Sequence, residues 1–360
     1  MAFALFLLKS CFFFLFGGSV CFALFNKVLS KSSKVNVLIS LGLGPVFASL
    51  ILYYLLVLMP GLSSVFYLSV ITLVWGVLLY WKRTQIPAFF GALYAYKKDF
   101  VNLLSINKGL NTYLFQTNNV ALLLVLGVFA FGFYNCVMTA IIGHDPLEYM
   151  VQGKYFFEQK EIIYQKHNFH PSNGFYYVGL HGWSFPLQVT LEYLFDDLSF
   201  AGYDLYFRLL TPLYGTILLL LTYYAVKLKA NVEWGVAAIC MLVFAKGFFI
   251  GINYVHIDAY RIFLIVLAIY CLIQFVKQNT TERLLLLSFV AGNAAFTHSL
   301  SVFIAFFIGL ALVFFTKRTL WKKIQLGLSY AFLLIAFGGI HYLLDILFGT
   351  GWLFGNIDFY

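Results

Sequence analysis

Apolar runs of about 20 residues recur along this chain, separated by short polar or basic stretches. Runs of that length predict membrane-spanning helices, because in lipid a helix satisfies its own backbone polar groups. Ten spans are expected, over roughly 3–25, 35–59, 63–81, 118–142, 204–226, 233–252, 257–276, 283–298, 300–316 and 323–347. Gly and Pro mark the junctions, at Pro60-Gly61, Gly143 and Pro146. The pair 283–298 and 300–316 is the shortest and needs a sharp reversal at Thr297-His298-Ser299. The opening MAFALFLLKSCFFFLF has no basic leader and no small-residue cleavage site, so it reads as a first span.

One stretch breaks the pattern. Residues 143–203 form a long polar segment that begins GHDPLEYMVQGKYFFEQKEIIYQKHNFHPSNGFYYVGLHGWSFPL. Its first part, 146–160, has Leu147, Met150, Val151 and Phe157 on one face, with Glu148, Gln152, Lys154 and Glu158 elsewhere. That predicts an amphipathic helix lying on the membrane surface. Residues 82–117, mixed basic and aromatic, predict a second interfacial segment. Two regions follow: a three-span part with its interfacial segment, 1–117, and a core, 118–360, carrying the loop 143–203.

Composition sharpens this picture. The chain is 62% hydrophobic and 10% charged, which excludes a soluble domain of this length. Its formal charge of +9 would suggest nucleic acid in a soluble protein. Here the cations fall in alternate loops: Lys27, Lys31 and Lys34; Lys82 to Lys108; Lys227 and Lys229; Lys277 and Arg283; Lys317 to Lys323. That is the bias of cytoplasmic loops, and no nucleic-acid partner is expected. It places both ends and the loop 143–203 outside. The missing outer glycosylation signals favour a bacterial cytoplasmic membrane over endoplasmic reticulum. The five cysteines lie in apolar runs with no CxxC spacing, so no disulfide or zinc framework is read.

Candidate chemistry gathers at the outer ends. Asp145-Pro146-Leu147-Glu148 is a helix start of the capping-box kind, and Asp145 has a structural role on that account alone. It is also a carboxylate at the lipid–water boundary, suited to accept a proton from an acceptor hydroxyl. Arg208, Lys246 and Arg261 lie inside or beside apolar runs, toward the outer ends of their spans. Each alone is explained by snorkelling; three at one face suit a phosphate headgroup. Asp258 and Arg261 are spaced to pair at a helix start. His144, His167, His170, His181 and His298 show no HExxH-type pairing, so no metal site and no required cofactor are expected.

The order of these features resembles the integral-membrane glycosyltransferases of the GT-C superfamily, most closely the protein O-mannosyltransferase and aminoarabinose-transferase branch. The likeness covers roughly 118–316. It rests on GHDPLEYMVQGKYFFEQ after a span, then YYVGLHGWSFPL, NYVHIDAYRIFLIVLAIYCL and LSFVAGNAAFTHSL. Three spans precede the loop where the family usually has one, and the acid reads His-Asp-Pro rather than Asp-Glu. The resemblance implies transfer of a sugar from a polyprenyl-phosphate donor to a glycan, lipid or protein acceptor outside the cytoplasm. It implies Asp145 as the base, Lys246, Arg261 and Arg208 around phosphate, and Asp258, His181, His298, Glu148 and His144 in the pocket. Competing readings are a transporter or flippase of lipid-linked glycans, a polymerase of them, and a non-catalytic membrane subunit.

Overall fold

The computed structural model describes residues 2–30, 32–104, 117–138, 144–162, 182–199 and 205–348. These are almost all helical, and no strand occurs among the described residues. In chain order the helices are α1 (Ala2–Ser10) and α2 (Gly17–Leu29), joined by a π-helical stretch, then α3 (Ser33–Leu58) and α4 (Ser64–Trp81). Next come α5 (Ile86–Leu104), α6 (Thr117–Met138), α7 (His144–Gln159) and α8 (Ser184–Ser199). The remainder are α9 (Leu205–Lys229), α10 (Val232–Phe244), α11 (Lys246–Asn253), α12 (Asp258–Lys277), α13 (Thr281–Thr297), α14 (Ser299–Phe315), α15 (Leu320–Leu334) and α16 (Ile340–Phe348).

Seven of the described helical runs are long and apolar enough to cross a membrane, or eight counting one bent pair. The protein is therefore an all-α, multi-pass membrane protein. The bent pair is α10 and α11, which the sequence pattern predicts as one span over 233–252. They meet at 75°. Ala245 takes an extended backbone (φ −71°, ψ 114°), which interrupts the i to i−4 ladder without a proline. The 13 residues of α10 reach only about 20 Å.

The chain divides into two compact units that interleave along the sequence. Unit 1 comprises 1–47, 72–146 and 201–263; unit 2 comprises 48–71, 147–200 and 264–360.

Within unit 1, α2 and α3 cross through glycines. A Cβ on Gly44 would lie 2.2 Å from the Phe13 carbonyl oxygen and 2.6 Å from the Gly18 nitrogen. Only a residue without a side chain lets the two backbones approach so closely, the usual device of helix pairs in lipid. Aromatic rings fill the surrounding space: Phe12 and Phe16 against Trp75, Phe13 against Tyr206, and Phe14 and Tyr260 against Tyr214. The buried Tyr214 hydroxyl donates to the Gly42 carbonyl at 2.9 Å.

Within unit 2, α15 and α16 are joined by a π-helical kink in which Gly338 has φ +143°. A Cβ there would be strained and would meet the Gly292 carbonyl oxygen at 2.5 Å. The expected reversal at Thr297-His298-Ser299 is present. His298 has extended backbone (φ −161°, ψ 141°) and separates α13 from α14. Its Nδ1 accepts from the Leu300 N–H at 3.1 Å, so the imidazole caps α14.

The surface helix α7 forms one residue earlier than its Asp-Pro start predicts, at His144. Its packed face also differs from the expected one. Tyr149, Gln152, Gly153 and Phe156 are buried, at i, i+3, i+4 and i+7. Gly153 admits α8, because a Cβ there would lie 2.6 Å from the Pro186 carbonyl oxygen. Leu147 and Val151 stay exposed, as an apolar stripe beside the protein contact. The hydrophobic pattern read the exposed apolar stripe and missed the packed aromatic one, since Tyr and Gln carry a weak apolar signal.

Candidate functional site

Unit 1 gathers charged and polar side chains where α9 and α12 begin. Arg208 and Thr211 lie three residues apart on α9, hence on one face. Thr211 Oγ1 donates to the His256 carbonyl at 2.9 Å and lies 3.2 Å from the His256 N–H, which donates to it in turn. This grip sets the turn between α11 and α12. The His256 ring then meets the first residue of α12, with Nδ1 3.1 Å from Asp258 Oδ2. On the other carboxylate oxygen, Asp258 Oδ1 accepts from Arg261 Nη2 at 2.6 Å. Both partners are mostly buried, their side chains retaining 29% and 25% of their exposure.

Arg208 is half-buried and donates from Nη1 to the Cys136 carbonyl at 3.3 Å. Cys136 is two residues before the end of α6, where helix carbonyls lack partners and attract a cation. Six residues beyond Met138 the chain enters α7 at His144, and Asp145 follows. Asn253 closes the group: it is 1% exposed, its Nδ2 donates to the Phe249 carbonyl, and its Oδ1 accepts no hydrogen bond. Two guanidiniums and one carboxylate stand where α9 and α12 begin, and Asn253 on α11 is a buried acceptor of the same unit. Such a cluster suits a ligand with both anionic and hydroxyl groups.

Of the residues singled out from sequence, Asp258 and Arg261 are paired and tied through His256 to Thr211, while Arg208 lies one turn before Thr211 on α9 and donates to Cys136 instead. Lys246 is not joined to them by any contact among the described residues. It is exposed, the first residue of α11 at the 75° break. Of Asp145 and His144 only the backbone is described, in the first turn of α7, whose residues 144–146 fall in unit 1. His181, His167 and His170 lie outside the described residues, as do Tyr176 and Tyr177. Glu148 and His298 belong to unit 2. Glu148 is half-buried, and His298 is 7% exposed in its capping role.

A second charged group, in unit 2, joins residues that no local pattern related. Lys160 Nζ donates to Ser64 Oγ at 2.9 Å, and the Ser64 hydroxyl donates to Asp197 Oδ2. Lys160 has φ +55°, and its carbonyl accepts from the Gly61 N–H at 2.9 Å and the Tyr67 hydroxyl at 3.1 Å. The clasp fastens the end of α7 to the Pro60-Gly61 turn and to α8. Burial brings the Lys160 amine down to about 8, and the Asp197 charge opposes that fall. Two acids of α8, Glu192 and Asp196, are also buried, at 1% and 5% exposure. The i, i+4 spacing of these two was the available clue. Lys9 of α1 is likewise buried, at 1%.

Among the described residues no three His, Cys, Asp or Glu side chains are grouped so as to hold a metal ion. Fold and charge placement define the protein as a multi-pass helical membrane protein with a cationic polar cluster at one end of unit 1. Set against family models, curated proteins and solved structures, the chain matches none.

Proposed function

We propose that this chain is a membrane glycosyltransferase of the GT-C kind, drawing its sugar from a polyprenyl-phosphate donor. The observation that carries the reading is the group at the start of α9 and α12 in unit 1, where Arg208 stands one turn before Thr211, Thr211 holds the His256 turn, and Asp258 holds Arg261. In this reading the arginines hold the lipid phosphate. A phosphate leaves readily once its charge is stabilised, so cations replace a general acid. Asp145 takes the proton of the acceptor hydroxyl as its oxygen attacks the anomeric carbon from the side opposite the phosphate. The sugar–phosphate bond breaks, the configuration inverts, and the phosphate departs on its lipid. Asp258 orients Arg261, while Lys246 at the helix break meets the carrier from the lipid side.

The same reading counts ten crossings, taking α10 with α11 as one and the 17-residue α13 and α14 as short ones. The loop basicity then sets 143–203 outside a bacterial cytoplasmic membrane. Acceptors are glycans, lipids or proteins on that side.

The test is sugar release from radiolabelled polyprenyl-phosphate sugars by the purified chain in bilayers. Asp145→Asn is expected to bind donor and lose transfer by at least a hundredfold. Full transfer by that variant leaves Asp145 no more than a first-turn acid of α7. One feature favours a second reading, a transporter of lipid-linked glycans: the α10–α11 break, since broken helices mark transporter sites. Movement of a fluorescent lipid-linked sugar between leaflets, its sugar–phosphate bond intact, would select that reading.

A further inference from the structure

The opposite ends of α2 and α9 carry a different surface. There α5 lies against α2 and α3 by Phe89 and Ala92, packed on Phe22 and Val37. The Tyr96 hydroxyl donates to the Lys34 carbonyl at 2.9 Å, and its ring meets Tyr224 of α9 edge-on. Lys34 Nζ lies 5.5 Å and 5.3 Å from the centres of those two rings. Asn26 Nδ2 lies 3.5 Å from Gln85 Oε1, which brings the start of α5 to the same end. These contacts gather Lys27, Lys34, Lys82, Arg83, Lys97, Lys98, Lys227 and Lys229 around one helix. The acids on the same elements are Asp99 of α5 and Glu233 in the first turn of α10.

The outer face of α5 has a definite composition. Phe90, Tyr94, Lys97, Lys98 and Val101 recur at i, i+4, i+7, i+8 and i+11, and all are exposed. Phe90 and Tyr94 are 60% and 66% exposed, and Trp81 and Tyr80 just before the helix 69% and 71%. Aromatic rings of this kind sit at the headgroup level of a bilayer, and flanking lysines reach the phosphates above them. Lys82 and Arg83 already lie over the Trp81 and Tyr80 rings, at 4.3 Å and 4.8 Å.

We propose that the outer face of α5, with the cations gathered round it, is a binding surface for anionic phospholipid headgroups. The occupant follows from charge and shape together. An acidic protein would be met by polar side chains, whereas this face alternates membrane-level aromatics with cations and is continuous with apolar spans. The surface selects phosphatidylglycerol-like over zwitterionic lipid, each lysine contributing about fivefold. It is independent of the transfer reaction, since α5 carries none of the residues assigned to it.

The test is native mass spectrometry of lipids retained by the full chain after extraction from bilayers of equal phosphatidylglycerol and phosphatidylcholine. The wild-type chain is expected to retain phosphatidylglycerol preferentially. Lys97→Gln with Lys98→Gln should reduce that preference at least tenfold, and the double arginine variant should restore it. Both lysines are exposed, so neither change threatens folding. Lys317→Gln with Lys322→Gln, exposed cations of unit 2, should leave the preference within twofold of wild type. Equal retention of the two lipids by wild type would overturn the proposal. So would an undiminished preference in the glutamine variant, or an equal loss in the unit 2 control.

Discussion

Asp258 and Arg261 offer a measurable separation between a structural pair and a ligand-binding cation. Their closest atoms are 2.6 Å apart, and each side chain keeps only about a quarter of its exposure. In surroundings of effective dielectric near 20, the gross attraction at such a distance is about 4 kcal/mol or more. Desolvation cancels much of it, and the exposed quarter is screened by solvent. The net coupling expected is about 1–2 kcal/mol. Asp258 also stands in the first turn of α12, where its charge adds about 0.3–1 kcal/mol against the helix dipole. Asp258→Asn should therefore cost about 2–3 kcal/mol and Arg261→Gln about 1–2 kcal/mol. The double variant should cost at least about 1 kcal/mol less than their sum. Unfolding of the purified chain in mixed micelles, read for wild type, both singles and the double, completes the cycle. Strict additivity would refute the coupling. Donor affinity measured on the same proteins separates the roles: a pair that serves only α12 leaves affinity where the double variant regains stability. A phosphate ligand loses affinity in Arg261→Gln and in the double alike.

Gly44→Ala should destabilise the chain by about 1–3 kcal/mol, because its Cβ meets backbone at 2.2 Å, which cannot yield as a side chain does. Gly76→Ala, with nothing within 4 Å, is the matched control and should be neutral or slightly stabilising; equal loss in both would refute the crossing argument. Lys160 should acquire reactivity toward trace acetic anhydride with a midpoint near pH 8 rather than at the ordinary 10.5. Because folding disfavours its charged form, the stability linked to this group rises as pH climbs from 8 to 10.5, and Asp197→Asn should lower the midpoint further. A midpoint at 10.5, or a rise in Asp197→Asn, would show that the amine is not held in the clasp.

Much of the architecture was legible because membrane helices announce themselves by length and apolarity, which are local properties. Residues 35–59 predict α3, and 204–226 predict α9, each to within a few residues at either end. The reversal at His298 was legible for the same reason, since two 17-residue helices leave no residues to spare. The break at Ala245 was not, because Phe244-Ala245-Lys246-Gly247 contains no proline and a single Lys in an apolar run reads as a snorkelling residue. Nor was the packed face of α7, which depends on how Gly153 meets Pro186 and Val189 of α8.

Charge followed the same division. Spacing alone proposed the Asp258–Arg261 pair, an i, i+3 neighbourhood on one helix. Bringing α9 to that pair needed Thr211 to take the backbone of His256 from 45 residues away. Lys160, Ser64 and Asp197 stand 96 and 133 residues apart from one another in sequence, and no local pattern relates them. Apolar length is written into each segment and can be read one segment at a time. Which polar atoms meet depends on the register at which helices cross, and that is decided only when glycines and rings from distant segments pack.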